Sequence, residues 1–487
     1  MTIINKIDGS NTIEKYDTVG DEEAKSIGSL RWILTSLALT MLLPSLATSI
    51  TNVALPTLAK TFVITFHETQ WIVLAYLIPT TAFIVIAGRL GDMINRHHLM
   101  LGGTLLFTIA SILCGFAPSF WVLIIGRIGQ GIGATVLMAL TIAYVGDVIP
   151  KSKTGSAMGL LGTMSAIGTA SGPSLGGILI SNFGWRSIFF VMMVLGIVSM
   201  LMTHRYLPTP KESKEATKQG FDIIGTALLA LSIGAYALAV NVKNGQFSQG
   251  NILLLWVAIV GWILFVIVEM RVKSPLIQLK LLRNPILSAR LIINILVMTV
   301  MMATLVVGPF YLSGAIGLDE SLVGLVMSIG PAISILTGFP AGRMVDRMGT
   351  SSITIIGLVA MAIGAFALSS LPITLGIWGY IMAIAMLTPG YQLFQAANNT
   401  GVMMGIHPNQ RGIISGILSL SRNLGLITGT SVMGAIFASA SMTTKIIDAQ
   451  PSAIATGMNT TFVVAGILMV IALAITIVGE FFKPSGN

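Results

Sequence analysis

Two arginines stand inside long stretches that otherwise carry no charge. Arg127 lies in the stretch 121–144 and Arg422 in the stretch 412–438. Counted along a helix, they sit roughly 9 Å and roughly 15 Å from the start of their stretches. A charge at such depth in a bilayer costs at least ~2.5 kcal/mol unless a partner or water reaches it. Gln130 shares the face of Arg127, and Ser415 and Ser419 share the face of Arg422. Ser45, Thr48 and Asn52 recur on one face of the stretch 32–54, while Tyr391, Gln392 and Gln395 make 376–397 partly polar. Guanidinium, amide and hydroxyl groups hold and orient polar solutes; they do not make a nucleophile with its base. Two roles stay open for each arginine: a structural or gating one, held by backbone carbonyls, and direct contact with a ligand or coupling ion.

Other chemistry is excluded by what the chain lacks. His67, His97, His98, His204 and His407 stand in loops or at the ends of apolar stretches without metal-ligand spacing. Cys114 is the single cysteine, so no internal disulfide or cysteine cluster forms. No serine–histidine–acid grouping and no phosphate-cradling Gly-Lys-Ser/Thr loop is present, which argues against an enzyme and against ATP-driven work. No cofactor and no metal are expected. None of the 18 acids falls near the middle of an apolar stretch. Asp92, Asp147, Asp222, Glu269, Asp346 and Glu480 mark one set of stretch ends, and Glu68, Asp319, Glu320 and Asp448 the other.

The elements that carry these residues are membrane helices. Of 487 residues, 54% are hydrophobic and 9% charged, against about 25% charged in soluble domains. Mean hydropathy is +0.89. Apolar runs of about 20 residues match the thickness of a hydrocarbon core. Fourteen are read, at 32–54, 70–88, 99–117, 121–144, 156–180, 187–204, 222–242, 252–270, 288–312, 322–342, 352–371, 376–397, 412–438 and 459–480. The polar, mixed-charge start 1–30 lacks a cleavable signal pattern. With both termini cytoplasmic, only Lys60, Arg186, Lys243 and Lys445 among the 27 Lys and Arg fall in outer segments. This is the positive-inside bias, and it accounts for the net charge of +9 without a nucleic-acid partner.

A repeat organises the helices. Gly88, Asp92 and Arg96 follow the second span as a short basic loop, and Gly342, Asp346 and Arg347 follow the tenth in the same way. Two equivalent loops imply two homologous halves. An acid beside a helix end with nearby arginines forms an ion-pair latch that biases one conformational state. Between the halves lie the two additional spans 222–242 and 252–270. The fifth span carries Gly168, Gly172 and Gly176 four residues apart, one smooth strip for a neighbouring backbone, with Pro173 and Gly177 beside it.

The stretch from Gly159 to Gly177 resembles the antiporter signature in the fifth helix of the major facilitator superfamily. The loops at Gly88–Arg96 and Gly342–Gly349 resemble that superfamily's signature between helices 2 and 3, with Asn95 and His97 as departures in the first copy. Leu46–Pro56, Arg127–Gly133, Gly184–Phe190 and Arg411–Gly425 are similar to motifs of its fourteen-span drug:proton antiporter branch. The branch usually has an aspartate where this chain has Ala47, which removes an expected anionic anchor for cations.

The resemblance implies an all-α membrane protein, major-facilitator-like, with two six-helix bundles plus two inserted helices. It comprises 14 transmembrane helices with both termini cytoplasmic. The expected division is a cytoplasmic tail 1–30, a first bundle 31–206, a linker with two extra helices 207–287, and a second bundle with a short tail 288–487. The implied activity is secondary transport by alternating access in the cytoplasmic membrane: proton-coupled export of a drug, antibiotic or metabolite. Import or passive facilitation of a small organic solute is the alternative, and a membrane-embedded enzyme a remote one. The expected partners are the lipid bilayer, a small organic substrate and protons, with the chain acting as a monomer. Arg127, Gln130, Arg422, Asn52, Thr48, Tyr391 and Gln392 are the candidates for substrate or coupling contacts.

Overall fold

Helices of apolar residues whose broad outer faces stay unpaired need a solvent other than water. The computed structural model describes residues 10–93, 95–149, 154–208, 222–240, 248–272, 283–404, 411–441 and 449–481. Among them there is no strand. The first six helices are α1 (Ser10–Phe62), α2 (Phe66–Met93), α3 (Arg96–Gly115), α4 (Phe120–Val148), α5 (Thr154–Phe183) and α6 (Arg186–Tyr206). Two more follow, α7 (Ile223–Val240) and α8 (Gln249–Arg271). The last set is α9 (Pro285–Phe310), α10 (Glu320–Met348), α11 (Thr350–Ser369), α12 (Gly376–Met403), α13 (Arg411–Thr428), α14 (Gly434–Ala440) and α15 (Pro451–Phe481). A π-helical turn, Tyr311–Ala315, ends α9, and another, Gly429–Met433, joins α13 to α14.

Among the described residues, eleven helices are long and apolar enough to cross a membrane, and Ile224–Val240 is a shorter apolar helix. α2 and α5, of 28 and 30 residues, coincide with the expected spans 70–88 and 156–180 but are outside those eleven. Large apolar side chains such as Trp121, Trp378 and Leu336 are exposed on the outer faces. That much apolar exposure is unfavourable in water and natural in lipid. The acids serve helix ends instead: Glu68 Oε2 accepts from the Thr65 backbone N–H at 2.7 Å, and Asp319 Oδ1 from that of Leu322 at 2.8 Å. Each satisfies a donor left over at a helix start.

The two halves pack by matching contacts. Gly168 of α5 sits against Leu42 and Ser45 of α1, and Gly425 of α13 sits against Ile295 and Met298 of α9. One turn further, Gly172 meets Ser49 as Gly429 meets Met302. In the outer pairs, Gly133 of α4 meets the Gly103 carbonyl and Phe107 of α3, just as Gly390 of α12 meets the Gly357 carbonyl and Met361 of α11. The register within each pair is the same in both halves, so a residue in one half has an identifiable counterpart in the other.

The halves meet at the end that carries Phe62, Phe183 and Glu320. A Cβ on Gly177 would lie 2.7 Å from the Glu320 carbonyl oxygen and 2.8 Å from Gly324 Cα, so α5 and α10 touch backbone to backbone. In the counterpart contact Gly434 faces Phe66 and Gln70 of α2. Gln70 Nε2 donates to the Thr430 carbonyl at 2.6 Å, inside the π turn, where the looser ladder leaves a carbonyl accessible. Phe66 packs edge-on against Phe310 at 5.0 Å between centroids, and Thr57 Oγ1 donates to Glu320 Oε1 at 3.5 Å. α7 lies over the seam between α2 and α13, with the Tyr236 and Thr428 hydroxyls 2.6 Å apart.

The glycine strip makes a direct prediction. Gly172→Leu would force a side chain into Ser49 and the Ile50 backbone and cost about 1–3 kcal/mol. Gly162→Leu, with nothing within 4 Å of the added carbon, is its control. In detergent the first variant melts at a lower temperature and the second melts with the parent.

Candidate functional site

Arg127 is enclosed, 1% exposed. Its Nε donates to the Ile72 carbonyl of α2 at 3.0 Å, and its Nη1 to Gln130 Oε1 at 2.9 Å and the Ala47 carbonyl of α1 at 3.4 Å. The guanidinium carbon lies 4.5 Å from the centroid of the Tyr76 ring. Tyr76 in turn donates to the Pro44 carbonyl at 2.9 Å, and Gln130 Nε2 to Ser111 Oγ of α3 at 2.8 Å. Carbonyl dipoles and an aromatic face thus stand in for a counterion. The network ties α1, α2, α3 and α4 together at the level of Ala47. Ala47 is fully buried, with its carbonyl turned to the guanidinium.

Arg422 is placed differently: it is exposed. On α13, Ser421 and Gly425 face α9, where Asn294 Nδ2 donates to Ser421 Oγ at 2.8 Å, and Thr428 faces α7. Arg422 is the next residue along from Ser421, about 100° around the helix from it. Its counterpart in α5 is Ser165, whose hydroxyl meets that of Ser45 at 2.6 Å. Ser45, Thr48 and Asn52 recur on one face of α1. Thr48 is half-buried, with its hydroxyl returned to the Pro44 carbonyl at 3.0 Å. Asn52 is fully buried, and both amide atoms lack a hydrogen-bond partner. Tyr391 and Gln392 are half-buried on α12.

The structure therefore joins Arg127 with Gln130 and separates them from Arg422. The repeated loops lie at the end opposite the Gly177–Gly324 contact. Arg96 Nε donates to the Gly91 carbonyl at 3.0 Å. The Asp92 side chain falls outside the described residues. Asp346 and Arg347 are exposed, and a Cβ on Gly88 or Gly342 would meet nothing within 4 Å, so packing does not demand glycine there. Gly168, Gly172 and Gly176 face α1, whereas Gly177 faces α10; Pro173 lies between, its carbonyl against Gly324. Sequence reading missed three groupings. His97 sits with His98 and His204, at ring-centroid distances of 6.1 and 6.4 Å. Asp222 and Glu269, buried at one end of the α7–α8 pair, both approach Gly225. Asn294 and Asn398 carry unpaired buried amide atoms. Only three-dimensional packing brings each set together. Among the described residues no group of histidine, cysteine and acids is arranged to hold a metal.

The sequence matches the family model described as Major Facilitator Superfamily over residues 37–430 and 291–485. The chain belongs to that superfamily. It is a multi-pass membrane transporter rather than an enzyme, and its substrates are small molecules. It is 29% identical over 448 residues to the riboflavin transporter RibZ of Clostridioides difficile (strain 630), covering 92% of this chain and 97% of the relative. It is 31% identical over 419 residues to the multidrug resistance protein Stp of Mycobacterium tuberculosis, covering 84% and 76%. Among solved structures, a bacterial homologue of the human lysosomal transporter Spinster, in an inward-facing and occupied conformation, matches with a TM-score of 0.68. Its sequence identity is 16%, over 93% of this chain and 97% of that one. At that identity the likeness speaks for the fold.

The Arg127 network predicts a coupling that charge alone does not supply. Arg127→Lys keeps the charge but loses the planar fork, and costs about 1.5–3 kcal/mol. Gln130→Leu disrupts the same network, so the double variant loses less stability than the two singles added. Thermal unfolding of the four purified proteins gives the cycle; strict additivity would contradict a shared network.

Proposed function

We propose that this transporter exports neutral or anionic small organic molecules across a bacterial cytoplasmic membrane, driven by the inward proton gradient. The observation that carries the charge preference is the pairing of an exposed Arg422 with Ala47. Arg422 is an exposed base, taken in this reading to face the space between the halves, and position 47, which could hold an anionic anchor, bears a methyl group. A fixed positive charge in a low-dielectric cleft attracts anions and repels permanent cations. Export and antiport rest on the likeness of the Gly159–Gly177 stretch to the antiporter signature, and multidrug-resistance relatives agree with it. The riboflavin transporter among the relatives agrees with an uncharged or weakly charged organic solute.

In this reading all fourteen apolar stretches span the bilayer with both termini cytoplasmic, and the chain works as a monomer. Residues 31–206 and 288–487 form the two rocking bundles, joined by 207–287 with its two extra helices. In this reading the Gly177–Gly324 and Gln70–Thr430 contacts close the outer face, and the inner face is the one that opens. Gly88, Asp92, Arg96, Gly342, Asp346 and Arg347 form the inner latch that engages in the other state. Arg422, Thr48, Asn52, Tyr391 and Gln392 contact the solute. Arg127 and Gln130 act one step back, setting the position of α1 at Ala47. Gly168, Gly172, Pro173, Gly176 and Gly177 let α5 pivot between α1 and α10.

Uptake into inverted membrane vesicles under an imposed pH gradient tests the charge preference. The parent moves organic anions or neutral compounds faster than size-matched quaternary ammonium dyes. Ala47→Asp gains cation uptake. Equal uptake of the quaternary dyes and the anions by the parent would overturn the assignment.

A further inference from the structure

The two halves match in backbone contacts but differ in polarity at the level of Asn294 and Asn398. Asn294 of α9 is 1% exposed; its Nδ2 is spent on Ser421, and its Oδ1 has no partner. Asn398 of α12 is also 1% exposed, and neither amide atom has a partner. Gln395, one turn away on α12, has an unpaired Oε1. The register of the repeat pairs Asn294 with Met41, Gln395 with Met138 and Asn398 with Thr141. At this level the first half carries two methionines and Thr141, whose buried hydroxyl is also unpaired, and the second carries three amides.

These amides are at one depth. Tyr380 faces α9, stacking on Tyr311 at 6.3 Å, and Asn398 lies five full helical turns further along α12 on the same stripe. Arg290 of α9 donates to the carbonyl of Ala397, the neighbour of Asn398, at 3.5 Å, and Asn294 is one turn along from Arg290. Asn398 thus faces α9 at the level of Asn294, next to the helix that carries Arg422. An unmade hydrogen bond on a buried amide costs about 1–3 kcal/mol, so the fold retains these groups against its own stability. A carboxamide with both atoms free offers one donor and one acceptor side by side. Its complement is a neutral edge with an adjacent N–H and C=O, the edge of a lactam or cyclic imide.

We propose that Asn398, supported by Gln395 and Asn294, is a specificity-determining subsite in the second half that recognises a lactam or cyclic imide edge of the solute. The proposal rests on the transporter reading above: Asn398 is 1% exposed, so the solute reaches it only as the helices around it part during the transport cycle. A ring system bearing such an edge places its N–H on Asn398 Oδ1 and its carbonyl on Nδ2. Methylation of that nitrogen removes the donor and adds bulk where the amide sits.

The test uses the full chain, purified and reconstituted in liposomes. Saturation binding is measured for uridine against 3-methyluridine and for lumiflavin against 3-methyllumiflavin, with ethidium as a compound without the edge. The parent should bind the N–H member of at least one pair about tenfold tighter than its N-methyl partner, the discrimination expected of a bidentate contact. Asn398→Thr installs the side chain of the counterpart Thr141, which the fold already accommodates, and should bring that ratio close to one. Gln395→Met, matching Met138, should reduce the ratio without removing it. Equal binding of both members of each pair by the parent, or an undiminished ratio in Asn398→Thr, would overturn the subsite. Saturable binding of ethidium alone would overturn it too while leaving the transporter reading standing; absence of transport of any organic solute would remove both.

Discussion

Helices in lipid gain little from burying apolar surface against one another, because the tails outside are as apolar as the side chains within. Close approach of backbones is what holds them. In this chain that approach is concentrated on α5, where Gly168 and Gly172 receive α1 and Gly177 receives α10. One helix therefore carries both the inner packing of its own half and the contact with the other. The counterpart helix does the same through Gly425, Gly429 and Gly434, but its last contact is a side-chain hydrogen bond from Gln70 into a π turn. The two seams are alike in place and unlike in kind: one is a smooth backbone contact suited to sliding, the other a directional bond that is made or broken.

Charge follows the same economy. In an apolar interior each ionised group needs donors or acceptors arranged in advance. Arg127 has them in the Ile72 and Ala47 carbonyls, Gln130 and the Tyr76 face, and so fixes three helices around Ala47. Arg422 has no such enclosure and is exposed. Glu68, Asp319 and Asp222, by contrast, each accept from a backbone N–H at a helix start.

Much of the fold was legible because lipid imposes a simple code. Each of the fourteen apolar stretches falls on a helix, and the paired Gly88 and Gly342 loops mark the repeat that the glycine contacts bear out residue by residue. Helical spacing also foretold the Gly168–Gly176 strip and the Arg127–Gln130 pairing, since residues three or four apart share a face. The site was less legible. Nothing in the local sequence around Arg127 says that its partners are carbonyls of Ile72 and Ala47, because those lie on other helices. Likewise Asn294 and Asn398 are about a hundred positions apart, and only the packing of α12 beside α9 brings them to one depth. Periodicity assigns a residue to a face; which neighbour covers that face is decided by packing.

The central claim is that Arg422 gives the solute path a positive bias. The most direct measurement is equilibrium binding, by fluorescence anisotropy in detergent at low ionic strength, of an anionic and a cationic dye built on the same ring skeleton. The account predicts that the parent prefers the anion, that added salt weakens the preference, and that Arg422→Gln abolishes it while Arg343→Gln, at a helix end, leaves it intact. A parent that binds both dyes equally, or a preference that survives Arg422→Gln, would contradict it.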